Sequence, residues 1–222
     1  MEKHIVKILE IHDVTHDVRA YRLEKPTGYQ FVPGQATDVA INKDGWLEEK
    51  RPFTFTGLNE YPYLEFNIKS YHDHAGVTNE LYKLKAGDEL IIHDVWGAIA
   101  YKGPGYFLAG GAGITPFLAI LRQQYKMNGI AGNVLFFSNK TEKDIIHHQE
   151  LKKMLGGDAR FIITKQENSA YPKGPIDKDF LRREVQDFSK PFYICGPDKM
   201  VADLNKTLSD LGASPESVVF EK

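Results

Sequence analysis

Apolar and polar positions change their rhythm near the middle of the chain. Up to about residue 100, short apolar runs are separated by Gly, Pro, Asn and Asp at intervals of roughly 8–12 residues, as in a small antiparallel barrel or sandwich. Residues 4–14 hold Ile5, Ile8, Leu9 and Ile11 in a mixed pattern, whereas 18–23 alternate with a period of two. Further strands are expected over 37–41, 51–56, 63–71 and 89–93. Val77, Leu81 and Leu84 recur at helical spacing and predict a short helix over 77–84, with Thr78 or Asn79 as its cap.

From residue 105 the pattern alternates strand and helix. Strands are expected over 106–110, 133–138, 159–164, 191–195 and 217–220, and helices over 116–127, 145–155, 180–185 and 199–211. Alternation of this kind builds a parallel sheet with helices on both faces. The expected architecture is two-domain: an N-terminal antiparallel β-barrel over 1–103, then an α/β doubly wound parallel-sheet domain over 104–222, hinged at 101–105.

Composition narrows the function. The 222 residues carry 28 Lys and Arg against 30 Asp and Glu, so no basic field exists to attract nucleic acid. One cysteine, Cys195, excludes a disulfide framework and a cysteine-ligated iron–sulfur cluster or zinc site within the chain. The first ten residues lack the apolar core of a signal peptide. The most apolar run, 107–121, is shorter than the ~20 residues a membrane span needs and holds Gly110, Gly111, Gly113 and Pro116. A cytoplasmic protein without a membrane segment is expected. No metal is assigned: His72, Asp73 and His74 read as a solvated loop, and adjacent His147 and His148 point to different faces of a helix.

Three motifs carry candidate chemistry. In Leu108-Ala-Gly-Gly-Ala-Gly-Ile-Thr-Pro116 a strand runs into glycines and then a helix whose first turn holds proline. Such a turn can offer backbone N–H groups to a phosphate at a helix N-terminus, or can simply be tight. Tyr193-Ile-Cys-Gly-Pro-Asp-Lys-Met200 places Cys195 at the carboxyl end of a strand, where open α/β sheets bind ligands. No nearby histidine pairs with that thiol as a base, which argues against a nucleophile. Arg51-Pro-Phe-Thr-Phe-Thr56 joins a phosphate-competent arginine to an aromatic and a hydroxyl, although a solvated strand face explains it equally well.

Taken in order, Arg51-Pro-Phe-Thr54, Gly76-Val-Thr78, Gly110-Gly-Ala-Gly-Ile-Thr-Pro116 and Cys195-Gly-Pro197 resemble the ferredoxin–NADP reductase superfamily, close to flavodoxin and microsomal cytochrome reductases. Phe31-Val-Pro-Gly-Gln35, Leu84-Lys-Ala-Gly-Asp88 and Asn139-Lys-Thr-Glu-Lys-Asp-Ile145 extend the resemblance over essentially the whole chain. It implies a flavin-binding barrel and an NAD(P)-binding α/β domain. Arg51 would hold a flavin phosphate, Pro52 and Phe53 would lie against the ring, and Thr54 would bond near its reactive nitrogen, with Ile68 and Lys69 also at the flavin. Gly76, Val77 and Thr78 would take the FAD pyrophosphate. Gly110, Gly111, Gly113, Thr115 and Pro116 would hold the coenzyme, with Asn139, Lys140, Gly196, Pro197 and Met200 beside it. Thr54, Thr115 and Cys195 would be nearest the chemistry, Cys195 shaping the hydride path rather than attacking. Phe220 stands either as an aromatic cover for the flavin or as a strand residue in the core.

The implied activity is hydride transfer from NADPH or NADH to bound FAD (FMN being the less favoured flavin), then electron delivery to a separate acceptor. Flavodoxin, ferredoxin or a haem protein are the candidate partners, because one cysteine leaves no room for a ferredoxin domain within the chain. A monomer is expected. The alternative is a flavin-binding electron-transfer or regulatory subunit active only with a partner enzyme. A phosphate-binding protein without redox chemistry would explain the Gly110 turn but not the barrel. Ser138, Asn139, Lys140 and Lys165 would suit a 2′-phosphate, whereas Asp144 and Glu167 argue for a bare ribose, so coenzyme choice stays open.

Overall fold

A computed structural model describes residues 2–72, 75–97 and 99–213, together with the backbone of 218–220. Strands β1 (His4–Asp13), β2 (Val18–Glu24), β3 (Ala36–Ile41), β4 (Arg51–Thr54), β5 (Tyr63–Lys69) and β6 (Glu89–Trp96) form one antiparallel sheet in the order β4-β3-β6-β1-β2-β5. The mixed pattern of β1 has a structural cause. His4–Lys7 pair with β6, the register slips between Ile8 and Glu10, and the strand continues along β2. A bulge of this kind bends and twists a strand, and the sheet curls until its ends approach. The Thr56 N–H, just past β4, donates to the Glu65 carbonyl of β5 at 2.8 Å. Val6, Ile8, Tyr21, Leu23, Val39, Phe55, Leu64, Phe66 and Ile92 fill the enclosed core. Period-two alternation puts Leu64, Phe66 and Ile68 of β5 inward and Glu65 and Asn67 on its outer face, yet all five are buried, because the second domain covers that face.

Strands β7 (Tyr106–Gly110), β8 (Val134–Asn139), β9 (Ala159–Ile163), β10 (Phe192–Cys195) and β11 (Val218–Phe220) form a parallel sheet in the order β11-β10-β7-β8-β9. On one face Phe107, Ala109, Leu135, Phe137, Phe161 and Tyr193 pack with α2 (Thr115–Lys126) and α3 (His148–Leu155). On the other, Tyr106, Leu108, Phe136, Ile162, Phe192 and Ile194 pack with α4 (Lys178–Glu184) and α5 (Asp198–Asp210). The sheet is doubly wound as expected. Winding direction reverses between neighbours β7 and β10, so a crevice opens at their carboxyl ends.

Several expected boundaries move. The helix over 77–84 is shorter, α1 (Val77–Leu81), and neither Thr78 nor Asn79 caps it; extended Gly76 takes the cap position without a side-chain bond. The helix expected from 145 starts at His148, because His147 adopts a left-handed conformation (φ 50°) that breaks the run. Ahead of it, Thr141 and Asp144 cap a single 3-10 turn reciprocally. Residues 101–105, which connect the two halves, are tied to the parallel-sheet side by several hydrogen bonds. The Lys102 N–H donates to the Tyr193 hydroxyl, which donates to the Gly103 carbonyl, both at 2.8 Å. Tyr101 and the Gly105 N–H both reach the Asn133 carboxamide.

Candidate functional site

A cleft of about 1060 Å³ lies between the barrel wall and the carboxyl ends of the parallel strands. From the barrel come Pro52, Phe53 and Thr54 of β4, Asn67, Ile68 and Lys69 of β5, then Tyr71, Thr78 and Trp96. Facing them are Gly110, Gly111, Gly113 and Thr115 after β7, Ser138, Asn139 and Lys140 at the end of β8, and Cys195, Gly196, Pro197 and Met200 after β10. Aromatic and aliphatic side chains thus dominate one wall, and glycine-rich turns with a few polar groups form the other.

The glycines are required first by the protein's own packing. A Cβ at Gly113 would lie 2.3 Å from the Cys195 carbonyl oxygen, and one at Gly110 would lie 2.5 Å from Met200 Sδ and 2.9 Å from Pro197 Cδ. A Cβ at Gly196 would be placed less severely, 3.1 Å from both the Gly110 nitrogen and Met200 Sδ. The two turns therefore press backbone against backbone, which fixes the floor of the crevice. Gly111 differs: its φ of 52° favours glycine, and nothing approaches within 4 Å. It supplies open backbone at the cleft. From this turn a 3-10 segment, Gly111–Ile114, leads into α2 with Pro116 in the first turn.

Thr54 and Asn139 are buried, and the Asn139 Oδ1 has no hydrogen-bond partner among the described residues. An orphaned acceptor at the end of a strand in an α/β crevice fits a ligand hydroxyl or amide. Lys69 bonds Asp17 at 2.8 Å. Burial pushes the Asp17 carboxyl up, but Lys69 and Thr15 outweigh it and hold it below its ordinary range. His16, Asp17 and Asp144 bring potential metal-ligand atoms within 4.8 Å of one another. Both carboxylates are already engaged, Asp17 by Lys69 and Thr15 and Asp144 by Thr141.

The cleft gathers most of the expected residues, but Arg51, Gly76, Val77 and Pro116 do not line it. Arg51 is half-exposed, donates to the neighbouring Lys50 carbonyl at 2.6 Å and lies 3.6 Å from Glu49. Val77 packs in the barrel core and Pro116 is buried in the first turn of α2. The Phe220 side chain, Asp73 and His74 lie outside the described residues; the Phe220 backbone pairs beside Ile194. His147 and His148 do diverge, His147 meeting Asn67 and Glu150 while His148 meets the Tyr171 hydroxyl. Sequence reading missed Asn67, Tyr71 and Trp96. Alternation along β5 placed Asn67 on the outer face, and Trp96, 40% exposed, is a large aromatic ending a strand.

Beneath the cleft, polar side chains join the domains. Arg122 of α2 donates to Glu65 Oε1 and the Thr56 carbonyl at 2.6 Å each, and to Glu150 of α3 at 2.7 and 2.9 Å. Asn67 Nδ2 donates to Thr56 Oγ1 at 2.8 Å, and Thr56 Oγ1 lies 3.1 Å from Glu65 Oε1. His147 stands at the far side of the circuit, with Nε2 2.9 Å from Asn67 Oδ1 and Nδ1 3.2 Å from Glu150; both partners are acceptors, so the neutral imidazole donates to one of them. Burial works against the Arg122 charge, but Glu150 and Glu65 overcome it and raise its pKa. Burial, then Arg122, lowers that of His147. For Glu150 burial acts upward and Arg122 outweighs it, so its carboxyl titrates below the ordinary range.

Residues 107–206 match the family described as the oxidoreductase NAD-binding domain. NADH-cytochrome b5 reductase 1 of Aspergillus terreus is 30% identical over 223 residues, covering 90% of this chain and 75% of that protein. The reductase component of propane 2-monooxygenase from Rhodococcus jostii is 26% identical over 97% of this chain, which spans 62% of that relative's length. Among solved structures, a ferredoxin NADP+ reductase from Neisseria gonorrhoeae with bound FAD and NADP superimposes with a TM-score of 0.86. It is 21% identical, over 99% of this chain and 98% of that one. The CS-b5R domains of human Ncb5or give 0.86 at 24% identity, over 99% and 69%. At these identities the structures speak for a shared fold.

Proposed function

Because the chain belongs to the ferredoxin–NADP reductase superfamily, near the cytochrome b5 reductases, we propose that it is an NAD(P)H-dependent flavoprotein reductase passing electrons from FAD to a separate acceptor protein. The observation that carries the reading is the cleft itself: an aromatic wall bearing Thr54 faces a glycine-lined turn at the switch point of a parallel sheet. In this reading residues 1–103 bind the flavin and 104–222 the coenzyme, in a cytoplasmic monomer. The acceptor is a flavodoxin, a ferredoxin or a haem protein.

The residues present fit both groups. Phe53, Ile68, Tyr71 and Trp96 offer apolar surface to a planar ring system, with the Thr54 hydroxyl among them. Thr78 offers its hydroxyl to the FAD diphosphate. Arg51 would have to leave Lys50 and Glu49 to supply charge there, which costs little at an exposed site. On the other wall Gly111 gives open backbone to the coenzyme diphosphate, and Thr115, the Asn139 carboxamide and Lys140 supply polar contacts. FAD, when bound, supplies acceptance of a hydride and release of electrons one at a time. The chain's part is orientation and exclusion of water. Thr54 and Thr115 present hydroxyls from opposite walls, and the Cys195–Gly196 turn sets how deeply a nicotinamide enters. The Cys195 backbone lies against Gly113 on the crevice floor, which supports a role in shaping the path of the hydride.

The deciding experiment is the visible absorption spectrum of the purified protein with added FAD, before and after anaerobic NADH and, separately, NADPH. A flavin spectrum bleached by one coenzyme is the expected result and also assigns the coenzyme. Bound flavin that neither coenzyme bleaches would move the protein to a subunit dependent on a partner enzyme. A protein that takes up no FAD or FMN would overturn the proposal.

A further inference from the structure

The polar circuit under the cleft has a role beyond joining two domains. We propose that Arg122, Glu65, Glu150, Thr56, Asn67 and His147 are positioning residues whose ring of contacts sets the width of the cleft, and so the approach of coenzyme to flavin. This rests on the reductase reading above.

Each wall enters the circuit through its own backbone. On the barrel side, β5 carries Glu65 and Asn67 in the ring and Ile68 and Lys69 in the cleft, while Thr56 lies two residues beyond Thr54. On the other side, α2 starts in the cleft at Thr115 and carries Arg122 two turns later, about 10 Å along its axis. The segment from Asn139 to Asp144 leaves the cleft and runs into His147 and Glu150. Arg122 and His147 border a separate outer groove of about 720 Å³ and do not line the cleft, so they act only through other residues.

Apolar residues would close such a seam at least as stably, since buried ion pairs often give no net stability over well-packed apolar groups. A ring of directional contacts does what an apolar seam does not: it admits few relative placements of its two sides. Arg122 is committed on both flanks, to Glu65 and to Glu150, and His147, packed beside Glu150, reaches back to Asn67 on the barrel side. Opening the ring at one point frees the walls to shift without removing any group from the cleft. Reacting atoms must meet within about 3–3.5 Å, and a displacement near 1 Å can cost about 100-fold in rate.

The test compares Arg122→Gln, Arg122→Lys and His147→Leu with the parent protein. Opening the ring should leave FAD bound and the coenzyme dissociation constant within about threefold, while flavin reduction at saturating coenzyme slows about 10- to 100-fold. Arg122→Lys should recover part of that loss. On cofactor-free protein, amide exchange of β5 and the first turns of α2 should quicken in Arg122→Gln and His147→Leu. If Arg122→Gln does not fold, His147→Leu opens the ring from the opposite side. Unchanged reduction rates with unchanged exchange would overturn the proposal, as would a parallel loss of flavin binding, coenzyme binding and rate. A parent protein that takes up no flavin would sink the reductase reading instead, and the exchange comparison would still decide whether the circuit holds the walls.

Discussion

Replacing Gly113 by alanine tests how the crevice floor is built. The added Cβ would stand 2.3 Å from the Cys195 carbonyl oxygen, 2.4 Å from its carbon and 2.6 Å from the Gly196 nitrogen. All three are backbone atoms, so no side chain can swing aside. Ordinary contact begins near 3.4 Å, and the two turns must separate by about 1 Å to reach it. Forcing a methyl into a packed site costs about 1–3 kcal/mol. At roughly 2–4 °C per kcal/mol for a chain of this size, the midpoint of thermal unfolding should fall by about 2–12 °C. The functional loss should be one-sided. Flavin occupancy should hold, because Gly113 belongs to the wall opposite the barrel, while reduction by coenzyme should fall by up to about 100-fold. Gly45→Ala is the matched control: it does not line the cleft and nothing lies within 4 Å of its added Cβ, but its φ of 84° imposes strain of about 1–2 kcal/mol. It should lower the melting temperature comparably and leave reduction much closer to the parent rate. Stopped-flow reduction with calorimetry on both variants decides the matter, and equal loss of reduction rate in the two would refute the packing argument.

Other consequences are simpler to state. Arg51→Ala should lower flavin occupancy by removing the cation that begins β4; purification with full flavin would show that Arg51 stays with Lys50 and Glu49. Gly34→Ala should destabilise far more than Gly28→Ala although both have positive φ. A Cβ at Gly34 meets the Ile99 carbonyl at 2.0 Å and Ile120 of α2 at 3.3 Å, whereas one at Gly28 meets nothing, so thermal melts of the pair separate wedging from strain. Acid should loosen the domain seam in two steps. With His147 titrating below its ordinary 6.5 and Glu150 below its ordinary 4.5, both contributions are whole at neutral pH. The histidine part is lost as pH falls from about 6.5 through its lowered value, and the carboxylate part as pH falls below about 4.5. His147→Leu should flatten the upper step in melts run from pH 8 to 4.

What could be read along the chain and what could not divide by distance. The barrel strands, the parallel strands and the turn at Gly110 announce themselves within ten residues, because alternation and glycine placement are local properties. Even the doubly wound sheet follows from such units, since a parallel pair needs a crossover that only a helix-length segment supplies. Where local signals compete, sequence reading fails at the edges. Leu84 continues the spacing of Val77 and Leu81, yet α1 stops at Leu81, and Ile145 and Ile146 are buried as anchors ahead of α3 instead of inside it. The circuit under the cleft has no local signature at all. Arg122 meets Glu65 across 57 residues and His147 meets Asn67 across 80, and in the sequence each reads as an ordinary polar residue. The same holds for the glycines in the opposite sense. Their spacing suggested a cradle for phosphate, but Gly110 and Gly113 are glycine because a second turn, more than eighty residues away in sequence, lies against them. Glycine there serves the meeting of two turns first, and the cleft exists because they meet.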